Sequence, residues 1–158
     1  MTHKIHETWG EFRSAFGQIL RLTRQNLCIF DDDLTQLGLQ QAAAVGLVRQ
    51  LLARNPVATV RIVLRRIDRL NGSHPRLVQL LMSQSHRIRI TQIPTSLQHL
   101  RDVFVLSDGQ HALVRFDLEH PRYKFILADE AEVAPYAQRF SDLWNTPGTP
   151  FVPTATGL

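Results

Sequence analysis

Short apolar runs that alternate with amphipathic stretches restrict the fold of this 158-residue chain more than any other feature of its sequence. Residues 59–65 combine β-branched side chains with alternating polarity, which is typical of a strand, and residues 26–30 form a second apolar run of strand length. Between the two runs, apolar residues recur at helical spacing. Because a strand, a helix and a second strand in this order form a parallel unit, the pattern favours an α/β fold.

The rest of the sequence extends this pattern. Helices are predicted over residues 8–24, 35–54, 75–85 and 129–144, and strands over residues 26–30, 59–65, 87–90, 103–107, 110–116 and 123–127. Thr8 and Glu11 have the spacing of a capping box, and Asp108-Gly109 is a strong signal for a hairpin. We therefore predict a mixed, mostly parallel sheet that is flanked by helices on both faces. The hairpin and the strand at 123–127 are expected to leave sheet edges that need cover.

The length and the distribution of apolar residues predict one domain over residues 8–145. Residues 146–158 are rich in Thr, Pro and Gly, and we expect them to be extended or disordered. The sequence has neither an apolar window long enough for a membrane-spanning helix nor the apolar region of a signal peptide near its first residue. Cys28 is the only cysteine, which excludes an internal disulfide. These features predict a cytoplasmic protein that makes no contact with a membrane.

The formal net charge of +4 is carried almost entirely by arginine, since Lys4 and Lys124 are the only lysines among the 18 basic residues. Arginine is suited to the recognition of phosphate. The arginines are scattered along the sequence, however, and a solvated basic surface is the preferred interpretation over a nucleic-acid footprint.

Neither metal-binding nor cofactor-binding motifs are present. His3 and His6 lie at the N-terminus, and no Cys or His pair elsewhere has the spacing of a structural zinc site. The glycines form neither a dinucleotide-binding pattern nor a Walker pattern. We therefore predict that the protein uses no metal and no cofactor. Asp33 or Thr35 is expected to cap the helix over 35–54.

The order of the elements, together with four short segments, resembles one half of the phospholipase D superfamily. The segments are the apolar run 27–30 with acidic residues after it, the strand 60–64, residues 103–109 and the closing segment 139–144. The chain is most similar to an uncharacterised bacterial branch of phospholipase D-like domains. Complete enzymes of the superfamily place two such halves face to face, so the resemblance implies a homodimer.

Catalysis in that superfamily requires a His, a Lys two residues later, an Asp five residues further on, and then a Gly-Ser and an Asn. When the acid and the glycine are aligned on Asp108-Gly109, Arg101 stands where the nucleophile belongs, Val103 replaces the lysine, and Arg115-Phe116 replaces the Gly-Ser. Valine cannot hold a phosphate, and arginine remains protonated and cannot attack phosphorus. The motif is therefore incomplete, and a non-catalytic protein is favoured.

An alternative alignment places the nucleophile at His99, with Arg101 in place of the lysine and Leu106 where the aspartate is required. A local two-residue insertion would instead combine His99 and Arg101 with Asp108, and a partner chain could supply missing groups. His99 and Asp108 are therefore the remaining catalytic candidates. The alternative function is an active phosphodiesterase of the nuclease or phospholipase D type.

The strand ends predict where a ligand would bind, because ligands of open α/β sheets gather outside the carboxyl ends of the parallel strands. The candidate ligand-binding residues at those ends are Asp31, Asp33, Arg65, Arg66, Arg101, Asp102 and Arg115. They would form either a phosphate pocket or a closed network of ion pairs, and the network is the preferred interpretation. The predicted function is a non-catalytic binding or dimerisation module, with a phosphate-bearing ligand or nucleic acid as the candidate ligand.

Overall fold

A computed structural model describes residues 4–6 and 8–154, and within them the chain forms one eight-stranded sheet with five α-helices. The strands are β1 (Lys4–His6), β2 (Asn26–Asp31), β3 (Thr59–Leu64), β4 (Ile88–Gln92), β5 (Val103–Ser107), β6 (His111–Arg115), β7 (Tyr123–Ile126) and β8 (Thr149–Pro150). The helices are α1 (Trp9–Leu22), α2 (Ala42–Arg54), α3 (Leu70–Ser73), α4 (Pro75–Ser83) and α5 (Glu130–Asn145).

The sheet is mixed, with the strand order β1-β7-β6-β5-β2-β3-β4-β8. Only β2, β3 and β4 run parallel, and every other neighbouring pair is antiparallel. The prediction of a mostly parallel sheet is therefore wrong, although the α/β class and the mixed sheet are confirmed. The reason lies in the connections: α2 and the pair α3–α4 provide the long crossovers that parallel neighbours need, whereas a tight turn joins β5 to β6.

Helices cover both faces of the sheet, as predicted. The apolar sides of α1, α2 and α4 pack on one face, and α5 packs on the other through Val133, Phe140 and Leu143. Successive side chains of a strand point to opposite faces of the sheet, so one strand contributes to both cores. In β5, Phe104 lies on the α5 side and Val105 on the opposite side. None of the helices within residues 8–154 combines the length and the hydropathy that crossing a membrane requires.

The helix predicted over 35–54 begins only at Ala42. Leu34 and Gly38 both adopt positive φ angles, of 73° each, and this conformation interrupts a right-handed helix. Asp33 does not cap a helix; its Oδ1 accepts a hydrogen bond from the backbone N–H of Thr35 at 3.0 Å and stabilises a turn. The segment is nonetheless anchored, because Leu34, Leu37 and Leu39 are buried in the core on the α1 and α2 side.

The sheet edges also differ from the prediction. Both strands of the hairpin lie inside the sheet, and β7 is covered by β1, whose Ile5 pairs with Lys124. At the other edge, β8 pairs with the end of β4, and the backbone N–H of Phe151 donates to the carbonyl oxygen of Ile90 at 2.8 Å. The expectation of open edges at the hairpin and at residues 123–127 is therefore wrong.

We expect Gly148→Ala to detach β8 from β4. A Cβ atom at residue 148 would lie 2.1 Å from the carbonyl oxygen of Gln92, and this backbone atom cannot move without breaking the sheet. Amide hydrogen exchange should become faster at Phe151, and the free energy of unfolding should fall by about 1–3 kcal/mol. Gly72→Ala is the matched control, because a Cβ atom there meets nothing within 4 Å. Unchanged exchange at Phe151 in the Gly148 variant would contradict this prediction.

Candidate functional site

The predicted ligand-binding residues gather at one edge of the sheet, which we call the carboxyl edge. Strands β2 and β3 end there at Asp31 and Leu64, and Arg65 follows directly. Strand β5 runs antiparallel to β2 and begins at this edge, just after Asp102, while β6 runs antiparallel to β5 and ends there at Arg115. The topology therefore brings together residues that are more than 80 positions apart in the sequence.

Asp31 and Arg115 form the buried centre of the carboxyl edge, and each is 1% exposed. Nη2 of Arg115 lies 3.7 Å from Oδ1 of Asp31, and Nε of Arg115 donates to the carbonyl oxygen of Asp117 at 3.0 Å. The guanidinium carbon lies 5.0 Å from the ring centroids of both Trp9 and Phe12. Helix α1 thus supplies an aromatic environment for a buried cation.

Arg65 forms a second buried contact at the same edge. Its Nη2 donates to the carbonyl oxygen of Asp102 at 2.7 Å, and its Nε donates to the carbonyl oxygen of Leu100. The guanidinium carbon lies 4.5 Å from the ring centroid of Phe30. Arg65 therefore ties the end of β3 to the loop that leads into β5.

Burial dominates the electrostatics of this cluster. Loss of solvent raises the pKa of Asp31 to about 6, and the positive charge of Arg115 opposes this rise without cancelling it. The same loss of solvent lowers the pKa values of Arg65 and Arg115. Among the described residues, Oδ2 of Asp31 and the Nη1 atoms of both arginines are buried without a hydrogen-bond partner. The cluster is thus buried in the protein, and only part of its hydrogen-bonding capacity is used.

The outer charges of the carboxyl edge pair with one another, and in these pairs the arginines are exposed while most of the acids are half-buried. Arg66 contacts both Asp32 and Asp33, the latter at 3.2 Å, while Nη2 of Arg139 lies 2.8 Å from Oδ1 of Asp102. Nη2 of Arg101 lies further from its acids, 3.9 Å from Asp117 and 3.8 Å from Glu119. Exposed pairs of this kind contribute at most about 1 kcal/mol each. Every predicted arginine at this edge nevertheless has a carbonyl or carboxylate partner.

The two catalytic candidates do not meet. Asp108 sits in the β5–β6 turn at the opposite end of β5, whereas His99 is exposed in the loop that precedes β5. The five residues of β5 separate these two ends by about 17 Å at 3.3 Å per residue. Asp108 therefore lies at the opposite end of β5 from the arginines of the carboxyl edge.

Asp108 has a structural role instead. Its φ angle is 56°, and its carboxylate accepts hydrogen bonds from the backbone N–H groups of Arg24, Gln25 and Asn26 at 2.8, 2.9 and 2.8 Å. These bonds join the β5–β6 turn to the segment between α1 and β2. The carboxylate is consequently engaged by the backbone and is not directed at the carboxyl edge.

Two contacts between arginines and aromatic rings were not predicted from the sequence. Trp9 and Phe12 belong to the helix predicted over 8–24, whose pattern does not indicate that their rings enclose Arg115. Arg61 is likewise held over the rings of Phe140 and Trp144, at 5.6 and 5.5 Å. The available signal was an arginine placed inside an apolar strand, which requires a partner from another element.

No group of three His, Cys, Asp or Glu side chains within residues 8–154 is arranged to hold a metal ion. His3 lies outside the described residues. Asp31, Asp32 and Asp33 are consecutive, but the first faces Arg115 and the other two face Arg66. The acidic triplet is therefore divided between two different partners.

Comparison with known proteins identifies the family and the fold. A family model described as "Domain of unknown function (DUF7931)" matches residues 8–149. Among curated proteins, none matches the sequence.

Two solved structures with similar folds are TrmBL2, described as an archaeal chromatin protein with a novel mode of DNA binding, and NucT from Helicobacter pylori. TrmBL2 is 12% identical over 91% of this chain with a TM-score of 0.66, and the chain spans about half (52%) of its length. NucT is 7% identical with a TM-score of 0.65, and the match covers 95% of this chain and 99% of NucT. At these identities the likeness establishes the fold, which is an α/β fold similar to the phospholipase D-like structure of NucT.

We expect Asp31→Asn to remove a pH dependence from the stability of the protein. The pKa of Asp31 is raised to about 6 in the folded state, whereas an unfolded aspartate titrates at about 3.9. The folded state therefore binds more protons between these values, so this carboxyl destabilises the fold as the pH rises through them. The unfolding free energy of the wild type minus that of Asp31→Asn should decrease by about 2 kcal/mol between about pH 4 and pH 7 in urea titrations.

Asp68→Asn is the control for this measurement, since Asp68 is exposed and lies outside the buried cluster. Its difference from the wild type should stay constant across the same pH range. A difference between the wild type and Asp31→Asn that increases with pH would show that Arg115 outweighs burial and holds the pKa of Asp31 below its ordinary value.

Proposed function

Because the chain belongs to the DUF7931 family, a domain of unknown function, we propose a function from its own geometry: a non-catalytic binding domain with a phospholipase D-like fold that acts as a homodimer. The ligand class that we assign to it is a phosphate-bearing polymer, with nucleic acid as the first candidate. Each part of this proposal depends on a different observation.

The absence of catalysis depends on one observation, the closed cluster of Asp31, Arg65 and Arg115 at the carboxyl edge. The alignment on Asp108-Gly109 places Arg115-Phe116 where the superfamily requires Gly-Ser, and the side chain of Arg115 fills that space. Val103, in the place of the required lysine, is buried and apolar. A phosphate group would find no basic nitrogen there able to attack it, since a guanidinium stays protonated.

The alternative of an active phosphodiesterase would use His99. This side chain is exposed and has the required acid at the far end of β5. General acid–base catalysis requires partners within hydrogen-bond reach. A second chain would therefore have to supply the other groups, and this possibility makes His99 the residue to test.

The ligand class is supported by charge and by the solved structures with a similar fold. The net charge of +4 attracts polyanions. TrmBL2 is described as a chromatin protein that binds DNA, and NucT is a nuclease of the phospholipase D family. A fold alone does not determine function, so these neighbours support the choice of ligand class but do not locate a binding surface.

The proposed dimer uses the carboxyl edge and not an open strand. The edges of the sheet are formed by the two- and three-residue strands β8 and β1, whereas Phe116 at the carboxyl edge is 47% exposed. The surrounding charges carry both signs, with Arg101 facing Asp117 and Glu119. A surface with an apolar centre and charges of both signs can complement itself across a twofold axis.

We expect the purified protein to hydrolyse neither bis-p-nitrophenyl phosphate nor phosphatidylcholine nor DNA above the rate of the buffer alone. The physical reason is that the positions of the nucleophile and of the phosphate-holding lysine carry Arg101 and Val103. Release of p-nitrophenolate, choline or shortened DNA would be followed in the wild type and in His99→Ala. Turnover that His99→Ala abolishes would overturn the non-catalytic assignment.

We also expect the wild type to have twice the 18.1 kDa mass of the chain by light scattering coupled to gel filtration at tens of micromolar. Phe116→Asp should shift the mass to that of one chain, because a carboxylate would be buried at the centre of the interface. The matched control is Val57→Asp, at a residue that is 77% exposed and precedes β3 at the opposite end of the sheet. A wild-type mass near 18.1 kDa would reject the dimer.

A further inference from the structure

A basic groove runs between α1 and α2, away from the carboxyl edge. Both helices run opposite to the strands of the β2–β3 unit, so they lie parallel to each other, and the groove follows their length. Two adjoining depressions form it, of about 270 Å³ beside residues 13–21 of α1 and about 310 Å³ at the C-terminal ends of both helices, and Arg21 lines both. We call this surface the arginine groove.

All the charged side chains that line the arginine groove within residues 8–154 are arginines, namely Arg13, Arg21, Arg24 and Arg54. Each of the four is exposed. Arg13 donates from Nε and Nη2 to the carbonyl oxygen and Oε1 of Gln36, at 3.2 and 3.3 Å. Across the described part of the chain, the side chains of the other three take part in neither an ion pair nor a hydrogen bond. This contrasts with the carboxyl edge, where every arginine is paired.

Asp108 and Glu11 carry negative charges near the ends of the groove, but neither lines it. The Asp108 carboxylate accepts hydrogen bonds from the backbone N–H groups of Arg24, Gln25 and Asn26 and not from an arginine side chain. Glu11 belongs to the first turn of α1, where its side chain accepts a hydrogen bond from the Thr8 hydroxyl at 2.8 Å. Attraction of Arg21 and Arg54 to the C-terminal carbonyls of their helices explains two of the four arginines. It explains neither Arg13 nor Arg24.

The spacing of the arginines and the small residues that line the arginine groove fit the phosphate backbone of a nucleic acid. Arg13 and Arg21 are eight residues apart on α1, or about 12 Å along the helix axis, which corresponds to three to four base-pair steps of about 3.4 Å each. Gly17, Ala43 and Ala44 line the middle of the groove and leave room for a close approach. Among the described residues, Phe16 is the only aromatic residue in the lining and it is buried, so these residues provide no stacking surface for an unpaired base.

We propose that the arginine groove binds the phosphodiester backbone of a double-stranded nucleic acid without reading its sequence. This inference rests on the proposed function of a binding domain and assigns the ligand and the surface. Arginine side chains bind phosphate oxygens with two parallel hydrogen bonds, and contacts of this kind position a protein on a duplex without specifying bases. The affinity should therefore depend steeply on salt and weakly on sequence.

The test is fluorescence anisotropy of a labelled DNA duplex of about 20 base pairs, titrated with protein between about 50 and 200 mM NaCl. The logarithm of the wild-type affinity should fall linearly with the logarithm of the salt concentration. The triple variant Arg21→Gln, Arg24→Gln and Arg54→Gln should bind at least tenfold more weakly at low salt, and its slope should be smaller by about two to three.

A charge-insertion variant separates loss of binding from loss of folding. Ala43→Glu adds an acid to the groove in the first turn of α2, where a negative charge stabilises a helix, and no acid is present there in the wild type. We expect this variant to unfold no more readily than the wild type and to bind at least fivefold more weakly. Arg49→Gln on α2 and Arg89→Gln on β4 remove exposed arginines outside the groove and should bind within twofold of the wild type.

Three results would overturn the proposal: no binding of the duplex by the wild type at the lowest salt, equal effects of the groove and control variants, or tighter binding of a single strand than of the duplex. Binding to vesicles of anionic lipid without binding to DNA would also overturn it, in favour of a membrane surface. A different result would show that the proposed function itself is wrong. Cleavage of the duplex would refute the non-catalytic assignment, whereas binding that survives all groove variants would refute only the assigned surface.

Discussion

The buried contact between Asp31 and Arg115 is the interaction on which the arrangement of the carboxyl edge depends. It joins the end of β2 to the end of β6, and the rings of Trp9 and Phe12 add α1 to the same contact. Removal of one partner of such a pair leaves an uncompensated buried charge, which typically costs about 3–5 kcal/mol. The aromatic faces reduce the cost of burying the guanidinium, since they supply electrostatic attraction that water would otherwise provide. The pair therefore restricts the ends of β2 and β6 to one packed geometry against α1.

The arginines of the carboxyl edge and those of the arginine groove belong to two physical classes. Those at the carboxyl edge are buried against rings and carbonyl groups, as Arg65 is, or exposed beside acids, as Arg66 is. Those of the arginine groove are exposed, and within residues 8–154 no acid shares the lining with them. Net charge alone cannot distinguish these classes, because a paired arginine and a free one count equally. The long-range attraction of a polyanion depends on the unpaired class, whose field is not cancelled locally.

Local signals predicted the fold best where one short segment contains both partners of an interaction. Thr8 and Glu11 form the predicted capping box, Pro75 begins α4, and the turn at Asp108-Gly109 joins β5 to β6. The predictions failed where distant residues decide. The pairing of β1 with β7, 119 residues apart in register between Ile5 and Lys124, leaves no periodic pattern in the sequence. The positions of the strand ends predicted which residues gather at the carboxyl edge. They did not predict that α1 encloses Arg115, because rings that contact a cation from another element stand at no fixed spacing from it in the sequence.

The resemblance of residues 108 and 109 to a catalytic motif has a folding explanation in this chain. Both residues have positive φ angles, of 56° and 68°, which Asp and Gly tolerate better than most residues. The carboxylate of Asp108 additionally satisfies three consecutive backbone N–H groups that lead into β2, so it orients the first strand of the parallel unit. An acid and a glycine at this turn are therefore required by the sheet itself, whether or not any chemistry takes place at the other end of β5. The likeness at these two positions therefore carries no information about catalysis, and the side chains that face the carboxyl edge are the ones that carry information about function.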